Sequence, residues 1–239
     1  MVRFILLNAF IAVDTILFSL WGIIVSLTDR TGRRVHFYAA APWAKSILWV
    51  CGVRVTLEGR ERLDDRVPCI YMSNHQSYFD IFVLLGYLPL DFKFILKEEL
   101  MRIPLFGSTM RRAGYIGIDR GDPRKALRSM NEAAEKVKKG ASVLIFPEGT
   151  RSEDGALQDF KKGGFHLALK SGCDIVPLTI RNTRRIVPKG SLRIQGGHAG
   201  LCIGERLPTK DYSKKDMERL MLRVREEILG KMEQGDVDA

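Results

Sequence analysis

The chain has 239 residues, 46% of them hydrophobic and 28% charged, which gives room for one sizeable core with a small appendage rather than for several large domains. Its 38 basic and 28 acidic residues leave a formal charge of +10 and a pI near 9.6, so anionic partners are favoured: phospholipid surfaces, phosphorylated metabolites or nucleic acid. The four cysteines (Cys51, Cys69, Cys173, Cys202) are scattered through apolar runs without the paired spacing of zinc or redox motifs; this argues against those chemistries and fits core thiols in a reduced, cytosolic compartment.

In chain order, the first feature is an apolar run over 4–27, broken mainly by Asn8 and Asp14; as a helix it rises roughly 36 Å, enough to cross a bilayer. It lacks the cleavage site of a secretory signal and is expected to be retained. Asn8, Ala12, Thr15, Ser19, Gly22 and Ser26 recur at steps of three and four, a small-residue stripe suited to packing against another helix. After a basic turn with Arg30, Arg33 and Arg34, residues 35–50 are the expected partner in an antiparallel, membrane-associated hairpin. Asp14 falls at a depth comparable with Lys45, so either the two pair or both face water because the hairpin lies in the interface.

From Val53 the pattern changes to short β-rich runs alternating with helical stretches, which predicts an α/β domain with a mixed central sheet flanked by helices over 53–239, behind a hairpin over 1–52. Strands are predicted over 54–57, 69–73, 93–96, 115–118, 143–146, 175–180, 192–194 and 201–203. Asp122 and Pro123 open a helix that Gly140 stops, and a last helix covers 214–232.

Two constellations carry chemistry. The strand over 69–73 runs into Asn74-His75-Gln76-Ser77-Tyr78-Phe79-Asp80. On a regular helix, residues five apart lie about 140° from each other. His75 and Asp80 can meet only if the histidine sits in the strand-to-helix turn and the aspartate at the helix start, where the dipole favours it. An aspartate on one ring nitrogen makes the other a general base for a hydroxyl. The strand over 143–146 runs into Phe146-Pro147-Glu148-Gly149-Thr150-Arg151-Ser152, a turn presenting planar donors for phosphate on Arg151 and an acceptor for hydroxyls on Glu148.

Together these blocks resemble the glycerolipid acyltransferase family, most closely its bacterial 1-acyl-sn-glycerol-3-phosphate (lysophosphatidic acid) acyltransferase type. Three further stretches match in order: Lys97-Glu98-Glu99-Leu100, Gly114-Tyr115-Ile116-Gly117-Ile118-Asp119-Arg120 and Ile175-Val176-Pro177-Leu178-Thr179-Ile180. The resemblance covers roughly residues 50–210 and implies a glycerol-3-phosphate acyltransferase-like fold. It implies His75 as general base and Asp80 as its orienter. Lys97, Arg120 and Arg151 would surround the acceptor phosphate, Glu148 would hold the glycerol portion, and Gly149 and Thr150 would complete the substrate site, with an apolar tunnel for the acyl chain.

The implied reaction is direct acyl transfer from acyl-CoA or acyl-ACP to the sn-2 hydroxyl of lysophosphatidic acid at the cytoplasmic face of the inner membrane, with no cofactor, no metal and no nucleic acid. Glycerol-3-phosphate, another lysophospholipid or a lyso-aminolipid is the alternative acceptor, and a non-catalytic lipid- or nucleic-acid-binding protein the distant alternative. No Gly-x-Ser-x-Gly elbow is present and no cysteine adjoins a histidine, so a covalent route lacks a nucleophile. Backbone amides at the helix start after His75 are the expected oxyanion donors. Arg102, Arg111 and Arg112, with Arg181, Arg184 and Arg185, are candidates for a lipid-facing surface.

Overall fold

The computed structural model describes residues 1–119 and 121–233. Helix α1 (Val2–Ser26) carries the apolar run. The chain then reverses at Asp29, whose carboxylate accepts the backbone N–H groups of Thr31, Gly32 and Val35. It returns as α2 (Arg33–Val35), a π-helical turn (His36–Ala40) and α3 (Ala41–Val50). Pro42 has no N–H for the carbonyl of Tyr38 four residues back, and the Trp21 indole of α1 donates to that carbonyl at 2.9 Å.

Apart from the exposed Ala12, the small-residue stripe faces the protein. Ser19 and Gly22 are buried, the Ser19 carbonyl accepts from the Thr109 hydroxyl at 2.9 Å, and Thr15 Oγ1 accepts from the Trp43 indole at 3.2 Å. Asp14 is held differently from the expected pairing. Its Oδ2 accepts from Ser46 Oγ at 2.6 Å, and no ion pair joins it to Lys45 among the described residues. One helical position turns Lys45 away from α1, towards Gly86, where an added Cβ would stand 3.3 Å from Lys45 Cγ.

Seven strands form one sheet in the order β1-β7-β6-β2-β5-β3-β4: β1 (Val53–Glu58), β2 (Ile70–Ser73), β3 (Phe92–Lys97), β4 (Ile116–Ile118), β5 (Ser142–Ile145), β6 (Ile175–Arg181) and β7 (Gly197–Ile203). All pairs are parallel except β6 with β7. Parallel strands need both faces covered, and side chains of β2 alternate accordingly. Tyr71 joins a cluster with α3, α4 (Phe79–Tyr87) and the π turn, while Ile70 and Met72 join α6 (Pro123–Lys138), α7 (Lys162–Ser171) and α9 (Met217–Glu233) on the other face. The π turn and α3 therefore share their buried cluster with the sheet.

Residues 192–194 form no strand. Residues 191–196 are irregular, because β7 already has β1 and β6 on its two sides, and the Leu192 carbonyl accepts from Asn8 of α1 instead. Helices α5 (Phe106–Arg112) and α7 were not foreseen, and Cys173 is half-buried while the other three cysteines are buried.

Candidate active site

The site lies where β2 and β5, parallel neighbours, end side by side. The chain leaving β2 forms α4 on one face of the sheet and the chain leaving β5 forms α7 on the other, so a crevice opens between the two carboxyl ends.

His75 occupies the turn after β2, and Asp80 the first turn of α4. Their separation is closed by that turn: His75 Nδ1 lies 2.7 Å from Asp80 Oδ2. The same oxygen accepts the backbone N–H groups of Gln76 at 2.7 Å and Ser77 at 2.8 Å, and the buried Thr183 hydroxyl donates to Oδ1. Asp80 is fully buried, and an ionised carboxylate is the acceptor that such a set of donors and the helix dipole favour. The Gln76 and Ser77 amides are thus taken up by the Asp80 carboxylate.

The His75 ring stacks on Phe146 at 3.9 Å between centroids, and with Nδ1 on Asp80, Nε2 is the nitrogen left for substrate. The loop after β5 grips the His75 backbone from both sides. Glu148 Oε1 accepts the His75 N–H at 2.6 Å, and the Ser152 N–H donates to the His75 carbonyl at 2.8 Å. Glu148 Oε2 accepts the Gln158 N–H at 2.9 Å. Burial pushes the Glu148 carboxyl up to about 7 despite these two amide donors. Glu148 does not line the cavity, so its contacts are with the backbone behind His75 rather than with the space in front of it.

That space is a cavity of about 790 Å³, lined by His75, Lys97, Thr150 and Arg151 together with apolar side chains of α1, α3 and α4. The Arg151 guanidinium lies 3.6 Å from the Tyr78 ring centroid; its buried Nη1 has no hydrogen-bond partner among the described residues, a donor fit for an anion. Lys97 is exposed and pairs with Glu99 at 3.1 Å. Gly149 takes a left-handed turn at φ 74°, where a Cβ would stand 3.0 Å from the Lys161 side chain. Arg120 lies outside the described residues. Of the predicted site residues, the structure thus brings His75, Asp80, Thr150, Arg151 and Lys97 to one cavity and its wall, and sets Glu148 behind it.

Sequence reasoning missed Thr183, whose signal would have been a hydroxyl just past the final apolar block. It also missed Asn74, which acts as an extra ladder residue between β2 and β6: its side chain donates to the Ile180 carbonyl at 2.8 Å and accepts the Ile180 N–H at 2.7 Å.

The family model described as Acyltransferase matches residues 54–181. The chain is 43% identical over 168 residues to a chloroplastic 1-acyl-sn-glycerol-3-phosphate acyltransferase of Brassica napus, covering 70% of this chain and 48% of that protein. To the 1-acyl-sn-glycerol-3-phosphate acyltransferase of Pseudomonas aeruginosa it is 36% identical over 178 residues, covering 72% and 68%. The chain spans about half the length of the chloroplastic relatives it matches. The crystal structure of the 1-acyl-sn-glycerophosphate acyltransferase PlsC from Thermotoga maritima superposes with a TM-score of 0.82 at 27% identity, covering 98% of this chain and 97% of that one, and it shares the mixed sheet flanked by helices. With the matching model spanning both blocks that build the crevice, the chain belongs to the acyltransferase family.

Proposed function

We propose that the protein transfers a fatty acyl group from an acyl thioester, acyl-CoA or acyl-ACP, to the sn-2 hydroxyl of 1-acyl-glycerol-3-phosphate, giving phosphatidic acid. The observation that carries this reading is one cavity holding both an Asp-oriented imidazole and a buried, unpartnered guanidinium nitrogen beside a long apolar wall. The named activities of the Brassica and Pseudomonas relatives support it.

In this reading Arg151, with Lys97 and Thr150 on the same cavity, anchors the phosphate, Arg120 joins them as the family resemblance implies, and the apolar wall takes acyl chain. His75 Nε2 accepts the proton of the acceptor hydroxyl as that oxygen attacks the thioester carbonyl. When the tetrahedral intermediate collapses, the imidazolium returns the proton to the leaving thiolate, and the Asp80 carboxylate stabilises the ring while it is charged. An acyl-cysteine route is disfavoured by two observations. None of the four cysteines lines the cavity, and burial pushes the thiols of Cys51 and Cys69 up to about 11 and that of Cys202 up to about 12, far from the thiolate a nucleophile needs.

Membrane association belongs to the same proposal. Helix α1 is long and apolar enough to cross a bilayer. Yet Asn8, Ser19 and Ser26 along its length contact Leu192, Thr109 and Arg112 of the catalytic body. A helix flanked by the domain from end to end fits an interfacial position at the cytoplasmic face better than independent spanning.

The test is transfer by the detergent-purified protein, given lysophosphatidic acid, glycerol-3-phosphate or lysophosphatidylcholine with either donor, and products identified by mass. Phosphatidic acid formed from lysophosphatidic acid and lost in His75→Ala at unchanged Tm is the expected result. Transfer confined to another acceptor, or near-normal turnover in His75→Ala, overturns the reading.

A further inference from the structure

We propose that Thr183 is a positioning residue for the acyl transfer, holding the Asp80 carboxylate in the rotamer that orients His75. The inference rests on the reading of His75 and Asp80 as the reacting pair. Of the two carboxylate oxygens, Oδ2 takes all three bonds from the histidine side: the His75 ring and the Gln76 and Ser77 amides. Oδ1 points the other way, into a region where both Asp80 and Thr183 have no solvent exposure, and accepts from the Thr183 hydroxyl. Without that hydroxyl no water can replace the donor unless the packing opens, and a buried anionic oxygen is left uncompensated.

Thr183 is itself fixed. It opens α8 (Thr183–Ile186) directly after Asn182, which sits in the left-handed region at φ 67°. The preceding strand end is bound to the catalytic turn by the two Asn74–Ile180 bonds. The Ser77 hydroxyl, from the other side, donates to the Val187 carbonyl at 2.7 Å just past α8. The end of β6 and the short helix after it thus brace the turn that carries His75 at three separate points, and Thr183 is the one that reaches the reacting pair. Its β-branched side chain, with few rotamers open to it, suits a donor that must not swing.

Thr183→Val keeps the shape and removes the donor; Thr183→Ser keeps the donor; Thr183→Ala guards against a valine methyl that the carboxylate does not tolerate. The expected result for Val and Ala is a fall in kcat of roughly 10- to 100-fold, the range for a hydrogen bond to a buried charge. KM for lysophosphatidic acid should stay within about twofold, and Ser should recover most of the turnover. The far-downfield proton resonance expected of the His75–Asp80 hydrogen bond should shift, while staying sharp and at unchanged Tm, in Val and Ala and return in Ser; general loosening of the fold would instead broaden it by exchange with water. Wild-type kcat in Val or Ala, a loss expressed in KM alone, or an unmoved resonance would each overturn the proposal. Absence of transfer by the unaltered enzyme would instead refute the activity, and the resonance, read without substrate, would still decide whether Thr183 governs the pair.

Discussion

Glu148 is a carboxylate that two backbone amides claim and water barely reaches, and its energetics follow from that. Burial lifts its carboxyl from 4.5 to about 7, so between those values the folded protein holds a proton that the unfolded chain has released. Stability from this group therefore falls as pH rises from about 4.5 to 7, by a ceiling of about 3 kcal/mol. Glu148→Gln cannot titrate, and it presents an N–H₂ to one of the two amides, so kcat should drop through the His75 backbone. The Tm of the wild type relative to Glu148→Gln should decline by several degrees between pH 5 and pH 8; a constant difference would show that the carboxyl is not raised. Arg151→Lys separates a second role, since an ammonium cannot stack on Tyr78 and donate in a plane at once. KM for lysophosphatidic acid should rise roughly 10-fold or more with a smaller change in kcat. The meeting of His75 with Asp80 was legible in the sequence because a strand-to-helix turn brings together two residues five apart in the chain, and Arg151 was singled out by its own proline turn rather than by any contact with His75. The direction in which Glu148 faces and the reach of Thr183 to Asp80 were not legible, because each depends on a partner about 70 or more residues away.

Elements were legible where periodicity alone decides them. Strands β1 to β6 and the helix capped by Asp122, whose side chain accepts from Arg124 and Lys125 N–H, emerge within a residue of their expected bounds, whereas β7 begins at Gly197, four residues before the expected 201. Helix α7 was hidden because it contains Gly163 and Gly164, poor helix formers. Packing overrides propensity there, since a Cβ at Gly164 would stand 3.3 Å from Met72 and 3.4 Å from Ile145. The same logic governs the docking of α1. At Gly22 a Cβ would lie 2.6 Å from Thr109 Cγ2 and 3.4 Å from Ala39 Cβ, so Gly22→Val should push α1 off the body and cost about 1–3 kcal/mol, seen as a lowered Tm and faster proteolysis after residue 27; unchanged values would mean that the contact is slack. The π turn carries a load of opposite sign to that of Glu148. His36 is fully buried with both ring nitrogens lacking a hydrogen-bond partner among the described residues, and burial pushes its pKa from 6.5 down to about 4. Between those values the unfolded chain binds the extra proton, so stability from this group is lost as pH falls through that window. His36→Phe, edge-on to Phe37 and Phe92 as the imidazole is, should therefore flatten the acid side of the Tm profile; a profile as steep as that of the wild type would place the acid sensitivity elsewhere.

At the scale of the molecule, three arginines flank the bare face of α1. Val13, Ile16, Leu17, Leu20 and Ile24 are exposed together on the side of α1 away from the protein. Basic residues stand at both ends of the helix: Arg34 and Arg112, which bond to Thr28 and Ser26 at one end, and Arg193 beside the Leu192 carbonyl held by Asn8 at the other. The remaining basic candidates are partly committed within the fold, Arg181 to Glu58, Arg184 to the Glu153 carbonyl and Arg111 to the Met101 carbonyl. Under the proposed membrane association, such a surface would make two separable contributions to lipid binding. The charged one acts only on anionic lipid and weakens with salt; the apolar one acts on any bilayer and is indifferent to salt. Sedimentation with vesicles should resolve them. Raising salt should weaken binding to phosphatidylglycerol-containing vesicles towards the level seen on neutral ones, and no further. Replacing Ile16, Leu17 and Leu20, which are 50%, 58% and 44% exposed, by serine should weaken binding to both vesicle types. At about 1 kcal/mol for each half-exposed side chain, the loss is roughly 100-fold. Binding that survives the triple replacement would remove α1 from the membrane face and leave the cavity, whose wall it forms, opening to water instead.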